Sequence, residues 1–260
     1  MCLIAFAWLS HPRWRLVLAG NRDEFHARAS APLAPWDGVP LIAGRDLEGG
    51  GTWLGVNTSG RCGVVTNVRD PRDPQQGLSR GLLVTDWLLA SVDAPAHARA
   101  LHEVAARYRP FNLLTFDDQA AFYLGNRPGP SAQPVTPGVH GLSNADFNTA
   151  WPKTRRLMAR LQTWLEEATP DDFAVLFQAL ADERPASDEE LPDTGIGRER
   201  ERWLSAAFIR GEAYGTRAST VVAIDHAGGG RIIERRFGPG GRPQGETSLH
   251  WAPSKHAHPP

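Results

Sequence analysis

The chain holds only two cysteines, Cys2 and Cys62, in 260 residues, which excludes a disulfide framework and leaves a reducing, cytoplasmic setting as the expectation. It lacks an excess of charge: 28 Lys and Arg stand against 29 Asp and Glu, so no global positive field draws in nucleic acid or an anionic membrane surface. It lacks an apolar run near the roughly 20 residues that cross a bilayer, so stable membrane insertion is not expected. The run from Leu3 to Leu9 is short, has no basic segment before it and soon meets charged residues, unlike a signal peptide. Metal-ligand spacing is missing as well: Asp23, Glu24 and His26 diverge on an extended chain, and no second cluster answers them. A haem attachment motif is absent. So is the Gly-Lys-Ser/Thr ending that would make Glu48-Gly49-Gly50-Gly51-Thr52 a nucleotide loop; that stretch reads as a tight turn or as backbone brought close to a site. No cofactor and no metal are expected.

What is present is ample core material, 41% hydrophobic residues with nine tryptophans. Cys62 reads as core, and the tryptophans as packing, with Trp53 a candidate to line a pocket for an apolar group. Apolar runs at 2–9 and 14–20, joined by Ser10-His11-Pro12-Arg13, predict a hairpin, as do residues 52–56 and 61–68 around Asn57-Thr58-Ser59-Gly60. Ser79 is placed to cap a helix bearing Leu82, Leu83, Trp87, Leu88 and Leu89, and a second helix is predicted over about 95–107. Residues 111–116 and 121–124 read as another hairpin. Pro152 opens a helix with Leu157, Leu161, Trp164 and Leu165 at helical spacing. Thr169-Pro170-Asp171-Asp172 reads as the start of the next. Residues 183–202 are expected to form an exposed loop before a short helix at 203–209, and 219–225 with 231–237 a last hairpin. Hairpins alternating with helix pairs argue for an α+β layered domain over 1–251, with a disordered tail at 252–260.

Cys2 is the first chemical candidate. Removal of Met1 before so small a residue would put a thiol and a free α-amine on one residue. The amine's reference pKa of about 7.7–8.0 lets it serve as the base for its own nucleophile. If 2–9 and 14–20 pair, sums near 23 mark opposed residues, so Asn21 to Asp23 lie just beyond Cys2. Asp23 is placed to hold the amine or thiol, and Arg22 to lower the thiol pKa or grip a substrate carbonyl or carboxylate. Asn21 and Glu24, in the same run, are candidate substrate contacts.

Met1-Cys2 before a strand, Asn21-Arg22-Asp23-Glu24, Gly49-Gly50-Gly51-Thr52-Trp53-Leu54-Gly55, Thr66-Asn67, Leu142-Ser143-Asn144, Leu191-Pro192-Asp193-Thr194-Gly195 and Tyr214-Gly215-Thr216-Arg217 together resemble the NRDE family, also called transport and Golgi organisation 2 (TANGO2). That family looks like a relative of the cysteine N-terminal-nucleophile (Ntn) hydrolases, the branch with penicillin V acylases and bile salt hydrolases. The resemblance implies a four-layer αββα sandwich: two stacked, mainly antiparallel sheets flanked by helix pairs. It also implies a catalytic set of Cys2, Arg22, Asp23, Asn67, Asn144 and Arg217. In that set Asn144 and Asn67 would donate to an oxyanion, Asp23 would orient the amine, and Arg22 and Arg217 would supply positive charge near the thiolate.

The expectation is an amidohydrolase acting on a small non-peptide amide. The alternative is a carrier that holds haem or a lipid-like ligand in the same cleft without turnover. A third reading, a structural or trafficking partner, requires neither Cys2 nor Asp23.

Overall fold

The computed structural model describes residues 2–72, 76–167 and 171–253; Met1, the helix start assigned to Thr169-Pro170 and the tail from residue 254 lie outside the described residues. Strands β1 (Cys2–Trp8), β2 (Trp14–Phe25), β3 (Ser30–Pro35), β4 (Leu41–Asp46), β5 (Leu54–Asn57) and β6 (Cys62–Asn67) come first. Helices α1 (Arg80–Leu89) and α2 (Ala94–Val104) follow, then β7 (Phe111–Phe116), β8 (Ala121–Gly125), β9 (Ser131–Pro134) and β10 (Gly138–Leu142). Helices α3 (Pro152–Glu167), α4 (Ala174–Leu180) and α5 (Arg198–Trp203) lead into β11 (Tyr214–Asp225), β12 (Gly230–Phe237) and β13 (Pro243–Trp251).

These strands build a six-stranded sheet, β10-β1-β2-β11-β12-β13, and a seven-stranded sheet in which β3 to β9 lie in sequence order, all antiparallel. Alternation along β1 explains the layering. Ile4, Phe6 and Trp8 pack between the sheets, while Leu3, Ala5 and Ala7 face α3 and α4. A strand covered on both faces must be apolar throughout, and β1 is. In α3, Leu157, Leu161 and Trp164 fall on one helical face and bury against the six-stranded sheet. In α1, Leu83, Val84, Trp87 and Leu88 do the same for the seven-stranded sheet, where Trp87 Nε1 donates to Cys62 O at 2.7 Å. The order is α, β, β, α, the four layers expected.

Several local expectations change. The polar run Asn21 to Glu24 lies inside β2, which continues to Phe25 because β11 supplies hydrogen-bonding partners for it. Residues 30–46, where the sequence pattern predicts no strand, hold β3 and β4. Ser79 occupies the cap position of α1 but makes no side-chain cap hydrogen bond. Helix α4 starts at Ala174, whose N–H is taken by Asp172 Oδ1 at 2.8 Å. The helix expected at 203–209 lies earlier, as α5, because Pro192, Gly195 and Gly197 end before Arg198 and leave the charged stretch free to coil.

The glycine loop between β4 and β5 is a tight turn whose backbone closes on α1 and does not itself line the cleft. Gly51 has φ +71°, and a Cβ there would sit 2.3 Å from Gly81 O, so the loop lies against the first turn of α1. Gly51→Ala should cost about 1–2 kcal/mol from the left-handed conformation alone, with the clash added. Thermal melting checks this, and an unchanged Tm would contradict the packing described.

Candidate active site

Cys2 begins β1, an interior strand one in from the β10 edge of its sheet, and is 7% exposed. Its register partner is Arg22, and Leu3 faces Asn21, so opposed positions sum to 24 rather than near 23. That single step matters because strand side chains alternate. Arg22 and Glu24 point with Cys2 toward the seven-stranded sheet, whereas Asn21 and Asp23 lie on the face toward the helices.

Asn21 is accordingly not a substrate contact. Fully buried, it donates from Nδ2 to Leu180 O and Ala207 O, both at 2.8 Å, and accepts from Ser219 Oγ at 2.7 Å. It ties the end of α4 and the segment after α5 to the sheet. Asp23 is also buried, but its Oδ1 accepts from Thr216 Oγ1 at 2.7 Å, and its carbonyl from Tyr214 OH at 3.1 Å. Thr216 sits opposite Asp23, while Ala218 sits opposite Arg22, so Arg217 is the extra residue of a β-bulge. The bulge turns the Arg217 guanidinium toward the chain after β2, where it donates to Phe25 O and Arg28 O.

Across from Cys2, the end of β6 meets the segment after β10. Asn144 Nδ2 donates to both Asn67 O and Asn67 Oδ1 at 3.0 Å, so its amide orients Asn67 and does not line the cleft. Asn67 does line it, and among the described residues its Nδ2 donates only to Val68 O, at 3.4 Å. Thr66 Oγ1 to Ser143 O (2.7 Å), Arg69 N to Asn144 O (2.7 Å) and Ser143 Oγ to Cys2 O (2.9 Å) join the two sheets here.

The cleft that results has a volume of about 1140 Å³ and is lined by Cys2, Arg22, Asp23, Glu24, Trp53 and Arg217 among others. Arg28 holds Asp46 at 2.9 Å, and Arg22 lies 4.0 Å from the same carboxylate. Against the cost of burial, hydrogen bonds from Gly49 N–H and Arg28 keep Asp46 below the ordinary carboxylate range. Burial pushes the Cys2 thiol up, with Asp23 adding to the rise and Arg22 opposing it, so the arginine alone does not make a thiolate. Burial also raises Asp23, opposed first by Lys153. Cys62 is core, its thiol pushed up to about 12 by burial. Among the described residues no group of three or more His, Cys, Asp or Glu is placed to hold a metal, and no helix is long and apolar enough to cross a membrane.

Sequence reasoning missed Thr216 and Lys153. Thr216 lies in a quoted motif, but only the bulge reveals that it, and not Arg217, faces Asp23. Lys153 carried a signal in residue usage: only two of the 28 basic residues are lysine, Lys153 and Lys255.

A cysteine opening an interior strand of an αββα sandwich, with Arg and Asp beside it, defines the class as the Ntn-hydrolase fold. Solved structures agree: a variant of conjugated bile acid hydrolase from Clostridium perfringens superposes with TM-score 0.53 at 7% identity, over 95% of this chain and 92% of that one. An N-acylethanolamine-hydrolyzing acid amidase ortholog from Caenorhabditis elegans gives 0.50 at 9% identity, over 85% and 92%. At such identities the likeness concerns the fold. The chain belongs to the transport and Golgi organisation 2 family, whose model matches residues 1–239. The human transport and Golgi organization protein 2 homolog is 34% identical over 260 residues, 90% of this chain and 92% of that protein; the Drosophila melanogaster protein is 28% identical over 277 residues, 95% of each.

Asn21→Ala should cost about 2–4 kcal/mol by stranding buried partners, yet leave Cys2 alkylation in the folded protein within about twofold. Urea unfolding and timed labelling separate the two effects; a large change in labelling with stability intact would return Asn21 to the site.

Proposed function

We propose that the chain is a cysteine Ntn amidohydrolase acting on a small, non-peptide amide that carries a negative charge, once Met1 has been removed. The observation that carries this reading is the convergence on one cleft of Cys2, Arg22 beside it, Asp23 fixed by Thr216, and the Asn67 amide held by Asn144. In the reaction Cys2 Sγ attacks the amide carbonyl while its own α-amine takes the thiol proton. The C–N bond breaks as that proton passes to the leaving amine, and water then cleaves the thioester to an acid and the free thiol. Asn67 Nδ2 would donate to the oxyanion, an interaction worth about 2.7–4 kcal/mol per donor where it has been measured. Asp23 would hold the amine.

The preference for an anion comes from the lining. Eight arginines against four carboxylates face the cleft, and burial raises two of those carboxylates, Asp23 and Glu234. A pocket so biased concentrates negative ligands. Phe25, Trp53 and Trp203 add apolar surface for the acyl part.

One observation favours a second reading, a carrier: a thiol held up by burial is a poor nucleophile without a base beside it. No histidine is found among the described residues lining the cleft, so a carried haem or lipid-like ligand would be held by shape and by arginine.

Mature protein should hydrolyse N-acyl amides bearing a carboxylate or sulfonate on the amine, Cys2→Ser should abolish turnover, and Asp23→Asn should lower it by about 10²–10⁴-fold. Binding without turnover, equal in wild type and Cys2→Ser, would leave the carrier. A labelling experiment precedes this. With Met1 retained, haloacetamide should modify Cys2 slowly and ever faster beyond pH 9, as a thiol raised above 9.0 requires. With Met1 removed, labelling at pH 7 should be about tenfold faster or more; equal rates would mean that the amine is not the base.

A further inference from the structure

Glu234 in β12 is only 6% exposed, yet it lines the cleft. Its Oε1 accepts from Leu33 N–H of β3 at 2.9 Å and lies 3.6 Å from Arg236 Nη1. Its Oε2 has no hydrogen-bond partner among the described residues and is not sealed from solvent, so it opens on the cleft. Gly44 leaves the room: a Cβ built there would stand 3.4 Å from Oε2. A nearly buried carboxylate oxygen in that position is completed only by water or by a ligand, and the proposed chemistry at Cys2 does not use it. The strand ladders place it. Cys2, Arg22, Ala218 and Arg236 are opposed in turn across β1, β2, β11 and β12, and Ile4, Gly20, Thr220 and Glu234 form the next row on the same face. Glu234 thus stands three strands from Cys2, roughly 14 Å at about 4.8 Å per step. The floor between them includes Gly20 and Ala218, and Trp53 closes over it: a Cβ built on Gly20 would lie 3.5 Å from the indole.

We propose that Glu234 is a specificity-determining residue: its Oε2 accepts a hydrogen bond from a neutral donor, a hydroxyl, at the far end of the substrate's acyl group. The substrates are then N-acyl amides whose acyl chain carries a hydroxyl roughly 14 Å from the scissile carbonyl. That statement of substrate rests on the hydrolase reading; the Glu234 subsite does not. The donor is neutral because Arg236 already stands beside the carboxylate and Arg22 acts on it too, in a cleft that eight arginines line. An ammonium would add a cation where positive charge is already in excess. The preference for a hydroxyl over a plain chain follows from hydration. A methyl group set against Oε2 strips its water and returns no hydrogen bond, and a ketone sets a second acceptor against it.

The test is isothermal titration calorimetry with full-length Cys2→Ser protein, which binds without cleaving, and N-acyl taurines of about eight to fourteen carbons, lengths that bracket the span. Each chain ends in a hydroxyl, a methyl, a methyl ketone or an ammonium. Because burial raises the Glu234 carboxyl, the titrations are run at about pH 8, well above the ordinary carboxylate range. At the matching length the hydroxyl chain should bind about tenfold tighter or more than the methyl and ketone chains. Glu234→Gln, added to the same protein, keeps an oxygen for Leu33 N–H and puts an amide nitrogen in place of Oε2. The ketone chain should then bind within about threefold of the hydroxyl chain. Hydroxyl and methyl chains of equal affinity at every length, or no binding of any chain, overturn the proposal without a Glu234 variant, which guards against one that does not fold. An ammonium chain that binds tightest overturns it too, as does a hydroxyl-over-ketone preference unchanged in folded Glu234→Gln. A preference that Glu234→Gln abolishes, where the mature wild type hydrolyses no amide, supports the Glu234 subsite while the hydrolase reading fails.

Discussion

Seven register pairs, from Cys2 opposite Arg22 to Trp8 opposite Leu16, lock β1 to β2, and a second ladder locks β2 to β11. The chemistry of the cleft depends on those two ladders. Side chains alternate along a strand, so a slip by one residue would turn Arg22 away from Cys2 and beneath the helices. The apolar alternation in β1 forbids that slip, since it would exchange Ile4, Phe6 and Trp8 with the smaller Ala5 and Ala7 across both cores. On the other side the bulge at Arg217 does a comparable task. Without it the ladder would bring residue 217 opposite Asp23 and bury its guanidinium; with it Thr216 takes the place and gives a hydroxyl.

The same ladders create an electrostatic difficulty. Cys2, Asp23, Lys153, Arg69 and Glu201 are brought together away from water, where unpaired charge costs several kcal/mol. Replacing such a set with apolar side chains would often be neutral or stabilising, so the network is poorly explained as a source of fold stability. The Arg69–Glu201 pair, with both side chains nearly inaccessible, fastens α5 to the segment after β6. Arg69 N–H to Asn144 O carries that anchorage on to the amide pair facing Cys2.

The sequence made the strong periodicities legible. The first hairpin, the two helix pairs and the 111–125 hairpin stand near where pattern put them, because each buries a regular apolar face. It failed where position in the sheet, not residue pattern, decides. Residues 21–25 are polar, yet β11 makes them strand; β3, β9 and β13 begin or end in proline or lie at sheet edges, where exposed residues blur the alternation. The site was legible as a set of residues and not as a set of contacts. Asn21 stood in the most telling motif and turned out to hold helices, because facing depends on register and the register differs by one residue from the estimate. Lys153 could not be found by helical spacing, since a buried lysine at the start of a helix breaks the apolar pattern.

The separation of the Cys2 thiol and the Asn67 amide is set by how the sheets pack, and not by a loop. Cys2 is the first residue of an interior strand in one sheet and Asn67 the last of a central strand in the other. Along those strands and their neighbours, Ile4, Leu54, Val64 and Leu142 are buried in the same core. Close-packed interiors resist displacement, so a site suspended between two such strands inherits their rigidity. The hydrogen bonds from Thr66 to Ser143 and from Asn144 to Asn67 fix the remaining freedom at the open end. Either use of the cleft, cleaving an amide or holding a ligand, therefore begins from a pocket whose thiol and polar walls are already in place, and the two uses differ in whether a base stands beside the thiol.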